Sequence, residues 1–206
     1  MAINPDDPYN LLGKNNKASG IKPPLSPYAG FWHRLGALLL DALILSPLFV
    51  VVAWLSPEYR LFYLYYFPLG YIIGMFYEVY LVKRFGGTPG KLIVGIKIIK
   101  VDGSAIGYRE AILRYLPGFI FSLLSSSGLV IARFSISDAD FFAVPAMQRT
   151  AHVATLIPAW CRWGGIADQA WMWGELLVLL TNKKKRALHD YIAGTVVIIK
   201  DAWNNT

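Results

Sequence analysis

The first long apolar stretch of this chain, residues 31–45, carries two charged side chains. Arg34 stands near its start, and Asp41 follows seven residues later. A charged group in the middle of a bilayer costs about 3 kcal/mol on insertion scales, so a membrane helix keeps one only where it has a use. Seven residues make about two helical turns, which puts Arg34 and Asp41 on one face of the predicted helix. We therefore expect each of them to hold the fold together or to carry the function.

The composition places the chain among membrane proteins. Apolar residues make up 55% and aromatic residues 15% of its 206 residues, too much for an ordinary soluble domain. The net charge of +7 could indicate a nucleic-acid partner. However, the basic residues stand beside apolar stretches, and the chain has no nucleic-acid-binding motif. The composition therefore argues against a nucleic-acid partner and favours positively charged loops next to membrane helices.

Four apolar stretches predict an all-α membrane protein with four transmembrane helices. They cover about residues 31–54, 61–82, 110–132 and 163–181. Pro117 and the segment 125–128 weaken the third helix, which we expect to be bent or broken there. The membrane domain would occupy 28–200, between a polar cytosolic tail at 1–27, expected to be disordered, and a short tail at 201–206.

A small β-structure is predicted between the second and third helices. The segment 92–101 is rich in β-branched residues, and Asp102-Gly103 signals a tight turn. This pattern predicts a β-hairpin on the cytosolic surface, to which 195–200 could add a third strand. Either segment could instead extend a neighbouring helix along the interface. Over 135–162 we expect an outer loop with an amphipathic piece lying on the membrane.

The distribution of basic residues predicts the orientation in the membrane. All but four of the 20 Lys and Arg residues lie before the first helix, between the second and third, after the fourth, or at the adjoining helix ends. The four on the opposite side are Arg60, Arg133, Arg149 and Arg162. Because cytosolic loops carry the excess of positive charge, both termini are predicted to be cytosolic, which agrees with an even number of spans.

Three motifs follow one another in a fixed order along the chain. The first is the apolar helix with Arg34 and Asp41, the second is Gly-Gly-Thr-Pro-Gly-Lys at 86–91, and the third surrounds Asp190. In this combination the chain, over about 28–200, resembles the RDD family of small bacterial multi-pass membrane proteins. The family is named for one arginine and two aspartates, which the resemblance places at these three charged positions. It implies a location in the bacterial inner membrane, and some relatives are thought to be cation/proton antiporters.

Carboxylates from three predicted helices lie at similar depth. From the helical rise per residue, Asp41 lies about 10 Å, Glu78 about 7–8 Å and Glu175 about 12 Å from the cytosolic end of its helix. If these side chains face one another, they form an acidic pocket able to bind protons or a hard cation. Asp41, Glu78 and Glu175 are therefore the candidate ion- or proton-binding residues.

Two arginines are candidate partners of the carboxylates. Helical side chains lean towards the N-terminus, so Arg34 leans away from Asp41, and its predicted partner is Asp190. A bidentate pair there would hold the end of the chain to the first helix. Arg114, at the start of the third helix, is then the candidate counter-charge for Asp41 or Glu78. A purely structural role for these charges, in helix packing or contact with lipid headgroups, remains the alternative.

Other kinds of site find little support in the sequence. The segment 86–91 is rich in glycine like a phosphate-binding loop, but Phe85 and Leu92 stand where that motif requires Gly and Ser or Thr. The three His residues lack metal-ligand spacing, and no catalytic triad is apparent. No metal or cofactor is therefore predicted, and an enzyme is the least favoured class.

The favoured function is transport. We expect a transporter, or a subunit of one, that moves a monovalent cation against protons, or another small solute, through a carboxylate-lined site. Four helices are few for an alternating-access transporter, so a homo-oligomer is predicted. The alternative is a non-transporting membrane scaffold or assembly factor whose cytosolic hairpin holds a protein partner. In both cases the basic segment 183–186 is expected to contact anionic lipid headgroups.

Overall fold

The computed structural model describes residues 27–204, which are mostly helical. In chain order the helices are α1 (Phe31–Leu55), α2 (Phe62–Met75), α3 (Leu81–Phe85), α4 (Pro89–Ile93), α5 (Tyr108–Ser135), α6 (Asp138–Ala143), α7 (Ala146–Thr155), α8 (Ala159–Thr181), α9 (Leu188–Ala193) and α10 (Lys200–Asn204). Strands β1 (Ile96–Lys100) and β2 (Thr195–Ile199) form an antiparallel sheet. The tail predicted at 1–27 lies outside the described residues except for Pro27, whereas most of 201–206 belongs to α10.

Two helices in the described range are long and apolar enough to cross a membrane, namely α1 and α5. The second predicted span consists of α2 and α3, with a π-helical segment, Phe76–Tyr80, between them. The backbone stays right-handed and helical through both junctions, so the chain remains helical from the start of α2 to the end of α3. Helix α8 is long enough for a span, but Arg162, Asp168 and Glu175 lower its hydropathy.

Helix α5 is continuous over 28 residues. The break predicted near Pro117 and the segment 125–128 is absent, since both lie inside the helix. The small residues have another use, because a side chain on Gly128 would come within 2.8 Å of the Cβ of Cys161 on α8. They therefore let α5 and α8 approach closely, as small residues do between membrane helices.

The sheet pairs two segments far apart in the chain, with Ile96 opposite Ile199. The hairpin predicted across the Asp102-Gly103 turn is reduced to one antiparallel bridge, between Ile99 and Ala105. The main partner of β1 is the segment that was expected to add a third strand. The first residues of 92–101 are helical in α4. The predicted turn is present, because the N–H of Gly103 donates to the carbonyl of Lys100 at 3.0 Å. Four of the five residues of β2 are buried, so this strand is stabilised by the core in a way that a surface hairpin is not.

Both edges of the sheet are occupied by other parts of the chain. Beside β2, the N–H of Ala29 donates to the carbonyl of Val197 at 2.8 Å. Beside β1, the N–H of Ile98 donates to the carbonyl of Gly86 at 2.7 Å. The sheet is therefore built into the fold and offers no long open edge for another strand.

The main hydrophobic core lies where α1, the π segment and α5 meet the sheet, a region we call the sheet end. Its buried members are Ala29, Ala37, Val79, Val82, Ile96, Ile98, Ile106, Ala111 and Val197. The last turn of α5 packs on α6 and α7 around a second cluster, and we call this region the far end. This cluster consists of Ala132, Ile136, Phe141 and Val153. The loop predicted over 135–162 thus contains two short helices, of which α7 is amphipathic.

Candidate functional site

Arg34, in the first turn of α1, donates a hydrogen bond from each of the three nitrogen atoms of its guanidinium group at the sheet end. Its Nη1 donates to Asp190 Oδ2 at 2.8 Å, and its Nη2 donates to the carbonyl of Lys185 at 2.6 Å. Its Nε donates to the carbonyl of Ala29 at 3.3 Å. The predicted contact between Arg34 and Asp190 is confirmed, although a single carboxylate oxygen takes part instead of two. These bonds tie α1 to the loop before α9.

Asp190, in α9, is completely buried between two arginines. Arg114 donates to Oδ1, whereas Arg34 donates to Oδ2. The hydroxyl of Thr195 donates to Oδ1 at 3.2 Å, and the N–H of Ala187 donates to Oδ2 at 2.9 Å. Burial acts to raise the pKa of this carboxyl, but the charges of Arg114 and Arg34 together outweigh burial and hold the pKa well below its usual range. Asp190 is therefore a permanent anion.

Arg114 does not meet the carboxylates expected for it, and its predicted pairing with Asp41 or Glu78 is wrong. Its Nη1 contacts Asp190, and its Nη2 donates to Nε2 of His189 at 3.0 Å. The reason is that α9 packs directly against α5. This packing brings the carboxylate and the imidazole of α9 to the arginine. Two guanidinium groups thus share one aspartate at the sheet end.

Asp41 lies on the same helix as Arg34 but is held by uncharged groups. The hydroxyl of Tyr77 donates to Oδ1 at 2.5 Å, and the hydroxyl of Thr88 donates to Oδ2 at 2.5 Å. The backbone N–H of Gly90 adds a third bond to Oδ1 at 2.7 Å. Asp41 is buried, so these donors replace the water that an ionised carboxylate would otherwise need. None of the three donors was predicted.

The segment 86–91 is shaped to receive Asp41. Gly86 has φ +83°, a left-handed conformation that glycine adopts without strain, and it ends α3. A Cβ atom on Gly90 would lie 2.3 Å from the carbonyl oxygen of Ala37 and 2.7 Å from Cγ of Asp41. Only glycine fits this contact between α4 and α1. The glycines and the proline of this segment were the sequence signal for a tight backbone approach, although they did not reveal its partner.

A cavity of about 680 Å³ lies between α1, α2, α8 and the sheet end. Asp41, Glu78 and Glu175 all line this cavity, so the three carboxylates expected at similar depth do come to one place. The other charged or titratable lining residues are Arg34, Lys91, Arg114 and His189. Most of the remaining wall is apolar or aromatic and comes from α1 and α2. The cavity is therefore polar towards the sheet end and apolar elsewhere.

Glu78 is the most exposed of the three carboxylates. Its side chain is 43% exposed, and its one ion pair among residues 27–204 is with Nζ of Lys91 at 3.5 Å. It lies in the π-helical segment Phe76–Tyr80, a rare local structure that often marks functional sites. In contrast to Asp41, Glu78 is therefore not enclosed by hydrogen-bond donors of the described residues.

Glu175 reaches the cavity from α8 and contacts Nδ1 of His189. Nε2 of the same ring lies 3.0 Å from Nη2 of Arg114. Because arginine can only donate, Nε2 accepts, and Nδ1 carries the proton that is donated to Glu175. In this arrangement the imidazole joins Arg114 to Glu175 and orients the Glu175 carboxylate. His189 was not among the predicted site residues, and its position beside Asp190 was the available signal.

The three carboxylates do not assemble into a metal site. Within residues 27–204, no group of three or more His, Cys, Asp or Glu side chains could hold a metal ion. The oxygens of Asp41 are already engaged by Tyr77, Thr88 and Gly90, so they are not directed at the two glutamates. The cluster of hard-cation ligands expected from the depth estimates is therefore not formed by the described residues.

Comparison with known proteins agrees with the order of the motifs. The model of the RDD family matches residues 28–194. The YckC protein of Bacillus subtilis (strain 168) is 33% identical over 175 residues, which cover 82% of this chain and 83% of YckC. The membrane protein YteJ of the same organism is 31% identical over 103 residues, which cover 43% of this chain and 63% of YteJ. No solved structure matches the chain.

The region matched by the family model runs from just before α1 to just after α9. It therefore includes the arginine Arg34 and the two aspartates Asp41 and Asp190, together with most of the contacts that bury them. It also includes the two apolar helices that are long enough to cross a membrane. This chain is a membrane protein that belongs to the RDD family.

Proposed function

We propose that the protein exchanges a monovalent cation for protons through the cavity between α1, α2 and α8. The two partly exposed glutamates that line this cavity carry the proposal. Lys91 contacts Glu78 at 3.5 Å, whereas the two arginines of the lining are both bonded to the buried Asp190. Glu175 contacts the imidazole of His189 and has no Lys or Arg ion pair among residues 27–204. An ionised carboxylate in a poorly hydrated cavity is costly, and binding one proton or one monovalent cation offsets its charge.

The two glutamates are the exchanging groups in this proposal. Asp190 is sealed by two arginines, and Asp41 accepts three hydrogen bonds from the protein. Protonation of either aspartate would break bonds that join helices. Glu78 and Glu175 each keep a partly exposed carboxylate, in contact with Lys91 and His189 respectively, so a proton and a cation can replace one another there.

The proposal includes four spans with the sheet end in the cytosol. The spans would be α1, the continuous helical segment from α2 to α3, α5 and α8. Residues 62–85 rise about 36 Å as a helix, which exceeds the hydrocarbon thickness of about 30 Å. The concentration of Lys and Arg at the sheet end supports this orientation in the inner membrane. A homo-oligomer stays part of the proposal, because four spans are few for alternating access.

The scaffold function has less support than exchange. That alternative used a cytosolic hairpin as the surface for a protein partner. Both edges of the observed sheet are bonded to other parts of the chain, and most of its side chains are buried. Strand addition by a partner would therefore require part of the sheet end to open.

Proton flux in reconstituted vesicles tests the exchange function. Outward gradients of Na⁺, Li⁺, K⁺ or tetramethylammonium would be imposed in turn, and the internal pH would be followed with a trapped dye. We expect at least one cation to drive proton movement in the wild type, and Glu78→Gln or Glu175→Gln to abolish it. Glu58→Gln is the matched control, since Glu58 is exposed at the far end. Proton movement driven by none of these cations, or unchanged in both cavity variants, would contradict the proposal.

A further inference from the structure

The volume of the cavity indicates the size of the cation that it can bind. Its volume of about 680 Å³ falls in the range of sites for small organic molecules, about 300–1,000 Å³. A bare metal cation is instead held by a close cage of oxygen ligands. The carboxylates among residues 27–204 form no such cage. A cavity of this size therefore fits a cation with a body of its own better than a dehydrated alkali ion.

The lining of the cavity provides surfaces for such a body. Aromatic rings of Phe31, Phe49, Tyr66 and Tyr77 contribute to the wall. Aromatic faces attract cations through their quadrupole, most strongly where water is excluded. Leucine side chains of α1 and α8 supply much of the remaining wall, and contact with them favours an apolar ligand. A small hydrated ion would make use of neither surface.

Polarity changes along the cavity in one direction. On α1, Arg34 and Asp41 lie near the sheet end. Leu45, Leu48 and Phe49 lie about one to two turns beyond Asp41. The chain from α2 to α3 runs the opposite way, with Tyr66 early and Glu78 late. A ligand that has one charge and an apolar body can therefore lie with its charge near the glutamates and its body between α1 and α2.

We propose that the cation bound in this cavity is a monovalent organic cation with an apolar body, of the quaternary ammonium or phosphonium class. The inference rests on the proposed exchange function and names its substrate class. The charge of this cation is offset by Glu78 and Glu175, whose carboxylates line the cavity and are partly exposed. Its apolar groups contact the aromatic and leucine side chains of the wall.

Two probes of equal shape and opposite charge test this inference on the purified full-length protein. Tetraphenylphosphonium and tetraphenylborate would be titrated in detergent by calorimetry. We expect the phosphonium to bind and the borate not to bind. Glu78→Gln and Glu175→Gln should each weaken phosphonium binding about tenfold or more, as expected for the loss of one charged contact. Equal binding of both probes to the wild type would overturn the inference.

A cavity-filling variant supplies a second test that leaves the charges in place. A Cβ atom on Gly70 would meet no atom within 4 Å, and Gly70 lines the cavity. Gly70→Leu should therefore abolish phosphonium binding. Gly118→Leu is the matched control, because Gly118 has equally open surroundings outside the cavity wall. Unchanged binding in a folded Gly70→Leu protein would overturn the inference. If that variant does not fold, the comparison of phosphonium and borate binding to the wild type remains the test.

The outcomes for substrate class and for exchange can be told apart. Proton flux driven by Na⁺, Li⁺ or K⁺, without phosphonium binding, would overturn the organic-cation inference and leave the exchange function standing. Phosphonium binding without proton flux from any cation tested, tetramethylammonium included, would support the site and overturn exchange.

Discussion

Two pairs of carboxylates in this protein differ in how completely the protein surrounds them. Asp41 and Asp190 are buried, and each accepts at least three hydrogen bonds from groups of other segments or from its own helix cap. Glu78 and Glu175 are partly exposed and line the cavity, where Glu78 contacts Lys91 and Glu175 contacts His189. Depth estimated from the sequence therefore does not separate the carboxylates that the protein encloses from those that it leaves partly open. The aspartates join helices, and the glutamates keep the partial exposure that the proposed exchange requires.

The two aspartates act on different contacts of α1. Asp190 joins α9 to α1 through Arg34 and to α5 through Arg114. Asp41 joins α1 to the π segment through Tyr77 and to the loop before α4 through Thr88. Helix α1 is thus fixed to its neighbours on both sides of the cavity. A rigid wall of this kind would keep the glutamates in place while their charge changes.

The largest expected effect comes from Asp190→Asn. The variant leaves the guanidinium groups of Arg34 and Arg114 buried without an anion, which should cost about 3–5 kcal/mol of unfolding free energy. Thermal unfolding in detergent measures the loss. Glu175→Gln is the matched comparison, and it should lower the unfolding temperature far less. Equal losses in the two variants would break the distinction between the pairs.

A smaller effect is expected from Gly90→Ala, which tests the contact between α4 and α1. The added methyl group would overlap the carbonyl oxygen of Ala37 and the carboxylate of Asp41. Overpacking of this kind costs about 1–3 kcal/mol. Gly118→Ala is the control, since its Cβ atom would meet nothing within 4 Å. If both substitutions leave the unfolding temperature unchanged, α4 does not pack on α1 as described.

Removal of the charge of Asp41 should have a comparable or smaller effect than the overlap at Gly90. Asp41→Asn keeps one oxygen acceptor, but its amide NH₂ group then faces a donor, either Thr88 or Gly90. One unsatisfied buried donor costs about 1–3 kcal/mol. The measurement is again thermal unfolding. An unchanged unfolding temperature would remove Asp41 from the group of structural carboxylates.

The smallest expected effect concerns pH and Asp190. The folded-state pKa of this carboxyl is held below its unfolded value of about 3.9. Its stabilisation is therefore fully present above the unfolded pKa and is lost only as the pH falls through the lower folded pKa. The gap in unfolding temperature between the wild type and Asp190→Asn should be nearly the same at about pH 7 and about pH 5. A gap that closes by pH 5 would mean that Asp190 titrates near neutrality.

Local geometry made part of this structure predictable from the sequence. The extent of α1 follows from its apolar run, and the contact of Arg34 with Asp190 follows from the lean of helical side chains towards the N-terminus. The turn at Gly103 follows from the Asp-Gly dipeptide. Each of these conclusions depends on residues near one another or on the direction of a single side chain.

Contacts between distant segments could not be predicted in the same way. The segment 195–200 was expected only as a possible addition to a hairpin, yet it is the main partner of β1. Arg114 meets Asp190 because α9 packs on α5. The role of Thr88 beside Asp41 also depends on how two segments dock. Propensity and spacing describe a segment alone, whereas these pairings are decided by which buried surfaces fit together.

The proposed function assigns charge exchange to the glutamates and the stability of the fold to the aspartates. Proton flux per folded molecule and unfolding temperature, measured on the same preparations of Glu175→Gln and Asp41→Asn, separate these two roles. We expect Glu175→Gln to unfold close to the wild-type temperature and to show no cation-driven flux. We expect Asp41→Asn to unfold at a lower temperature and to keep wild-type flux per folded molecule. Normal flux in Glu175→Gln, together with lost flux in a fully stable Asp41→Asn protein, would contradict the account.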